Sequence, residues 1–393
     1  MMAAGTAGNR GRKVLILERN RVLGRKLLLT GKGRCNLTNY TDIDNHVANL
    51  FPQGRFIYSA LFSFSPEDLI NWLEDRGVPT KIERGGRVFP ASDDSHDVRN
   101  CLLNYLKENR VELRPLSRVL EIENLEPAGG FQIKTGQEEI SVERVVLATG
   151  GCSYPQTGSS GDGWGWVRQL GHRVVEPEPG LVPLITREKD LELARGLLLK
   201  NVELTVQDRN NRRVFSEQGE LEICEDGLAG PLALRASLFI QRGREYSLLI
   251  DLKPAVDRKK LDRRLQREIE ELGHENLIKL WEKLLPRKLI DPLVKRTGLD
   301  PELSVQQLTR EQRGIMVKNI KNFGLTVIGK KDWSEAIITM GGVDCREIDP
   351  STMESKIVPG LFFAGEIMDL HGFTGGYNLQ TAFSTGFLAG SNC

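Results

Sequence analysis

Residues 361–380 read LFFAGEIMDLHGFTGGYNLQ, and this stretch decides the fold. Leu361-Phe362-Phe363 is apolar at every position, as a short strand buried on both faces of a parallel sheet must be. The strand runs into Ala364-Gly365-Glu366, so a carboxylate stands at its end, placed to accept a hydrogen bond from a polyol such as a ribityl chain. Gly375-Gly376-Tyr377-Asn378 then opens a helix through Leu379, Ala382 and Phe383. A helix N-terminus beneath a flat redox ring stabilises negative charge on the reduced ring. The bland alternative is a glycine turn before a C-terminal helix. Two further glycine-rich clusters, in the order a dinucleotide-binding fold requires, weigh against it.

One of them is Val145-Val146-Leu147-Ala148-Thr149-Gly150-Gly151, a buried strand ending in small residues that let the backbone pass beneath a nucleotide. Alone it is a weak signal, since many α/β proteins end a strand this way. The other lies at the N-terminus, MMAAGTAGNRGRKVLILE. Met1–Ala7 reads as an Ala/Gly-rich helix, Asn9-Arg10-Gly11 as a turn, and Lys13–Glu18 as a short parallel strand ending in an acid. That is the second half of a dinucleotide-binding βαβ unit, with Glu18 where the ribose-binding acid belongs. The strand and G-x-G-x-x-G loop that normally precede such a helix would fall just before Met1. The expectation is a longer natural protein whose upstream sequence encodes both in frame.

The chain has 393 residues, 27% of them charged, with a formal net charge of +1. So neutral a balance offers no overall electrostatic pull toward nucleic acid or an anionic membrane, and neither partner is expected. No apolar run approaches ~18 residues, which excludes a transmembrane helix. Six scattered cysteines without a CxxC pair read as reduced thiols of a cytoplasmic protein, with no metal site.

Between the clusters, Ser65, Pro66 and Asp68 predict a capped helix over 65–77. Val98, Leu102, Tyr105 and Leu106 predict a second over 94–109. Strands are expected near 117–123 and 131–134. Alternating segments at 202–207, 212–216 and 245–252 suggest a sheet or small barrel. Residues 257–322 are helical and charged, with Leu261, Leu265, Ile269 and Leu272 as an apolar stripe and prolines at 286, 292 and 301 dividing about three helices. The charge run there reads most simply as a solvated face.

The segments GRKLLLTGKGRCNLTN (24–39), ATGGCSYPQTGSSGDG (148–163) and FAGEIMDLHGFTGGYNLQTAFSTG (363–386) resemble the YhiN/BaiN-like family of NAD(P)/FAD-dependent oxidoreductases. The resemblance spans the chain and implies an α/β fold: a Rossmann-like FAD-binding domain of the two-dinucleotide-binding-fold flavoprotein type, with an inserted β-rich domain carrying a helical cap. The expected division is 1–183 and 346–393 for the FAD domain, 184–256 and 323–345 for the β-rich substrate-side domain, and 257–322 for the helical insert. The resemblance further implies FAD contacts at Glu18, Arg19, Gly24, Arg25, Gly33, Arg34, Cys35, Asn36, Val119, Ala148, Thr149, Gly150, Gly365, Glu366, Asp369, Gly376, Asn378 and Leu379.

Catalytic roles stay open. Cys35 is a redox or attachment candidate, or a small residue packed near the ring; His371 moves a proton or holds its loop. Tyr377 lines the substrate face or packs, and Arg34 is a charge partner beside ring or pyrophosphate. Gly158–Gly163 is glycine-rich but stands too far from a predicted strand to be a second dinucleotide fingerprint, so NAD(P)H use is implied by the family alone. Three functions are expected in order: hydride transfer between a small organic substrate and NAD(P)H through FAD, an amine oxidase using dioxygen, and a non-catalytic flavin-binding protein.

Overall fold

The strand Leu361–Phe363 pairs in parallel with Val145–Leu147, Leu147 standing opposite Phe363. A second parallel pair joins Leu15–Glu18 to Glu112–Pro115. Because each pair runs in one direction, the loops that carry Glu366 and Gly150 leave their strands at the same end, where open α/β sheets place ligands. These observations come from a computed structural model that describes residues 1–125 and 129–393. It divides into two compact units, Met1–Pro179 with Ala336–Cys393, and Gly180–Glu335.

In the first unit, helix Met2–Asn9 packs on the C-terminal helix Tyr377–Asn392 and on helix Ser95–Glu108. The small residues read at the N-terminus therefore serve helix-on-helix contact: a Cβ added to Gly390 would lie 2.3 Å from the Ala3 carbonyl oxygen. Helix Pro66–Glu74 starts with the expected capping box, Ser65 and Asp68 each satisfying the other's backbone N–H. An antiparallel sheet of Val119–Asn124, Phe131–Thr135 and Glu139–Val142 completes the β structure read upstream of Val145.

In the second unit, six strands close into a barrel in the order Leu184–Thr186, Gly227–Ala229, Arg213–Cys224, Leu198–Gln207, Tyr246–Asp251, Phe323–Lys330. The helical stretch forms four α-helices, Arg258–Leu272, Leu277–Leu284, Ile290–Thr297 and Arg310–Lys321. Their apolar faces join one core with the barrel: Leu261, Leu265, Trp281 and Met316 belong to the same buried cluster as Leu204, Leu248 and Val327. Barrel and helices thus form one body, because neither could bury its apolar face alone.

The boundaries differ from the sequence reading. Residues 336–345, expected in the β-rich domain, lie in the first unit, since the strand Ile338–Val343 pairs with Val174–Gly180. The first crossing falls at Gly180 instead of 184. Among the described residues no helix is long and apolar enough to cross a membrane.

Candidate functional site

Glu366 sits just beyond its strand and gathers three segments of chain. It forms an ion pair with Lys26, and its other oxygen accepts from the Ser153 hydroxyl at 3.0 Å and the Thr339 backbone N–H at 2.8 Å. Lys26 also donates to the Ser153 hydroxyl at 2.7 Å. The Thr339 hydroxyl in turn accepts from the Cys152 and Ser153 N–H groups, at 2.9 and 3.2 Å. Lys26 and Glu366 are 27% and 23% exposed, so the pair is partly sheltered yet still reachable. Of this cluster the sequence reading named only Glu366. Lys26 lay within the quoted 24–39 segment and could have been chosen as its cation; nothing in the sequence marked Thr339.

Next to it the C-terminal helix starts at a close chain crossing. Gly376 has φ +102°, and a Cβ there would lie 2.2 Å from the Thr38 carbonyl carbon. The Asn39 amide donates to the Gly375 carbonyl at 3.1 Å and to the Gly85 carbonyl at 2.9 Å. Asn378 clamps the preceding loop, accepting from Gly372 N–H at 2.8 Å and donating to the carbonyls of Gly372 and Phe373. Leu379 packs in one apolar cluster with Cys35 and Leu37. The helix has no side-chain cap and no acid in its first turn, so no carboxylate of its own offsets its positive end.

A third group forms where Leu15–Glu18 ends. The Glu18 carboxylate accepts from Asn20 N–H and from its side-chain amide, both at 2.8 Å. Asn20 also donates to Thr157 O at 3.0 Å and accepts from Arg25 at 3.1 Å. Arg19 reaches Ser160 at 2.5 Å and Asp162 at 3.2 Å. The 18–25 and 157–162 loops are thereby tied together, and Gly24 takes its turn at φ +80°.

The structure thus ties Glu18, Arg19 and Arg25 to the 157–162 loop, sets Gly150 beside Glu366, and places Gly376, Asn378 and Leu379 at the start of the C-terminal helix. Ala148 and Thr149 are exposed along the loop that carries Gly150. A Cβ on Gly33 or Gly150 would find its nearest atom at 4.0 or 3.9 Å, ordinary contact distance, and at Gly150 that atom is a Glu366 carboxylate oxygen.

Other expected residues stand differently. Arg34 is held by Glu83 and by Asp93 at 2.7 Å and lies over the Phe89 ring at 4.1 Å, which satisfies its charge within the protein. Cys35 is fully buried, and burial pushes its thiol up to about 12, so it stays protonated and packs. Asn36 and Val119 are half-buried. Asp369 is buried, and desolvation, reinforced by Asp344, raises its carboxyl to about 6. His371 is buried in a short strand opposite Phe51, and Tyr377 lies edge-on to His46 with ring centroids 4.9 Å apart. Burial lowers His46 to about 4.

Parallel βα units, carboxylates at strand ends and glycine crossings at a helix N-terminus define an oxidoreductase of the flavoprotein type built on a Rossmann domain. More particularly, the model of the HI0933-like protein Rossmann domain family matches residues 1–392, and the chain belongs to that family. It is 31% identical over 98% of its length to the ribosomal RNA dihydrouridine synthase of Escherichia coli (strain K12), covering 93% of that protein. It is 29% identical over 96% of its length to the 3-dehydro-bile acid delta(4,6)-reductase of Clostridium scindens, covering 92% of it. Among solved structures, the 3-ketosteroid delta1-dehydrogenase of Sterolibacterium denitrificans resembles it over 99% of this chain and 96% of that one, with 12% identity and a TM-score of 0.49.

Proposed function

We propose that this chain binds FAD in extended form along the three linked loops and reduces a carbon–carbon double bond conjugated with a carbonyl group, using NAD(P)H as electron donor. The observation that supports the reading is the combination of two carboxylates, Glu18 and Glu366, at the ends of parallel strands with an uncapped helix whose N-terminus is reached through the Gly376–Thr38 crossing. The residues fit the cofactor: the carboxylates can accept hydrogen bonds from hydroxyl groups, and Gly150 brings the backbone within contact distance of Glu366 without a side chain between them. FAD supplies the hydride.

The protein's own groups position and stabilise. Glu366 would accept a hydrogen bond from a ribityl hydroxyl and Glu18 one from a ribose hydroxyl. Lys26 orients Glu366 through their ion pair, and Thr339 fixes the loop at Cys152–Ser153. The first turn of the C-terminal helix favours negative charge on the reduced ring. Asn39 and Asn378 hold the two chain bends that shape this end.

The acceptor chemistry follows from the two relatives, whose names both denote saturation of a ring double bond in conjugation with a carbonyl. A small molecule bearing such a bond is the first reading. Uridine within RNA is the second, favoured by the relative with 31% identity.

The test is spectroscopic. The protein incubated with FAD should retain an absorption band at roughly 450 nm, as oxidised flavoproteins do. NADH or NADPH should bleach it without air, and an enone or a uridine-containing RNA should restore it. Failure to retain flavin refutes the reading. Bleaching only by an amine, with peroxide formed on re-aeration, identifies an oxidase instead.

A further inference from the structure

Helix Arg258–Leu272 divides its faces sharply. Leu261 and Leu265 are buried in the barrel core, with Ile269 and Leu272 packed beside them. The opposite face exposes Lys259, Lys260, Arg263, Gln266 and Arg267. At 100° per residue these five fall within about a third of the helix circumference. A cavity of about 550 Å³ is lined by Lys260, Arg263, Gln266 and Arg267 of these, together with Val256, Arg264 and Glu270.

The acids near this face are mostly engaged elsewhere. Asp262 accepts from Arg313 and Gln266, Glu268 pairs with Arg264, and Asp257 caps the helix. Lys260 approaches Asp257 at 3.7 Å. Lys259, Arg263 and Arg267 have no acidic partner within 4 Å among the described residues. Exposed Glu270 lies on this face and lines the same groove, near the end of the helix where Glu271 also stands exposed.

Helix stability does not account for this arrangement. The first turn carries basic residues and no acid, and the last turn carries acids and no base. Both placements oppose the helix dipole, which favours the reverse. The N-terminal cap comes instead from Asp257, which leaves Lys259, Arg263 and Arg267 of this face free to meet an anionic ligand. Regularly spaced cations beside a groove and a helix N-terminus match a chain of phosphates.

We propose that the exposed face of helix Arg258–Leu272 binds the phosphodiester backbone of single-stranded RNA. This rests on the second substrate reading above. Lys259, Arg263 and Arg267 each neutralise a phosphate, while Gln266 offers an amide to a phosphate or sugar oxygen. The neutral overall charge is no obstacle, since this field is local.

The experiment measures binding of a fluorescein-labelled, uridine-rich single-stranded RNA to the intact chain by anisotropy across a salt series. The triple variant K259Q/R263Q/R267Q should lose at least tenfold in affinity. Its plot of log affinity against log salt should be flatter by about 2, at about 0.7 for each lost phosphate contact on a single strand. The charge-conserving K259R/R263K/R267K variant should bind within about threefold of the original. Were the triple variant to misfold, R263Q alone carries the test, with a slope change of about 0.7. Unchanged affinity and slope in the neutralised variant overturn the proposal, as does absence of salt-dependent binding by the parent chain. RNA binding that depends on these residues without dihydrouridine formation supports the surface and refutes the substrate reading. Reduction of a free enone without RNA binding refutes the surface and leaves the oxidoreductase reading standing.

Discussion

The barrel unit and the unit that carries the candidate site hold their shapes by different means. In the barrel each of the six strands pairs on both sides, so the sheet has no edge, and one apolar cluster fills it and extends into the helices. In the site-bearing unit the parallel strands are three or four residues long and pair two by two. Their loops are placed by a handful of polar atoms: one carboxylate holding Lys26, Ser153 and Thr339, one asparagine joining Gly85 to Gly375, one backbone crossing at Gly376. Burial is redundant and tolerant; a three-atom junction is neither. Substitutions in the barrel should therefore register as stability, and substitutions at the junctions as binding.

The largest test of that contrast is Trp281→Ala. Trp281 is fully buried, and its loss should cost about 3–5 kcal/mol. Thermal melting should show a destabilised barrel transition while FAD affinity below the transition stays within about threefold. A parallel collapse of FAD binding would break the contrast. Gly376→Ala tests the opposite side. A Cβ at φ +102° and 2.2 Å from the Thr38 backbone cannot be relieved by turning a side chain. FAD binding measured by fluorescence quenching should weaken roughly tenfold to a hundredfold, as for about 1–3 kcal/mol of overpacking. Barrel melting should not move.

A smaller effect, confined to the site-bearing unit, depends on pH. Asp369 holds its proton to about pH 6 when folded, against 3.8 when free. Its contribution to stability is full below about pH 4 and is lost as pH rises through 6. His46 has the opposite sense. Its folded ring stays neutral down to about 4, so its contribution is full above 6.5 and is lost as pH falls through 4. In the parent protein the two partly offset each other between pH 4 and 6. Asp369→Asn should leave the His46 slope exposed, with urea-melt stability rising over that range by about 1–2 kcal/mol more than in the parent. A flat difference between variant and parent would show that Asp369 does not titrate there. The smallest expected change is Ser65→Ala. Loss of half the capping box should cost about 1 kcal/mol by thermal melt, with FAD affinity unaltered.

What could be read in advance was local. The Ser65 cap, the apolar stripes of helices Ser95–Glu108 and Arg258–Leu272, and the alternation of the barrel strands are periodic patterns that survive without knowledge of partners. The glycine clusters and the strand-end acids Glu18 and Glu366 were legible too, because backbone bends and terminal carboxylates leave marks at fixed short spacings. Arg34 shows what spacing does not give: the groups that hold it in space, Glu83, Asp93 and Phe89, lie 49 to 59 residues away along the chain. Residues 336–345 show it again, assigned to the wrong unit because a six-residue strand carries no record of the strand it joins.

From its amino-acid order alone this chain determines its strands, helices and turns, and therefore its class of fold, since those depend on interactions among residues close along the chain. The tertiary structure alone decided that Lys26, Ser153, Thr339 and Glu366 form one network, although 340 positions separate the lysine from the carboxylate. It also decided that Cys35 is sealed from solvent. Charge pairing and desolvation depend on distance through space, and spacing along the chain does not encode them until every element has been packed.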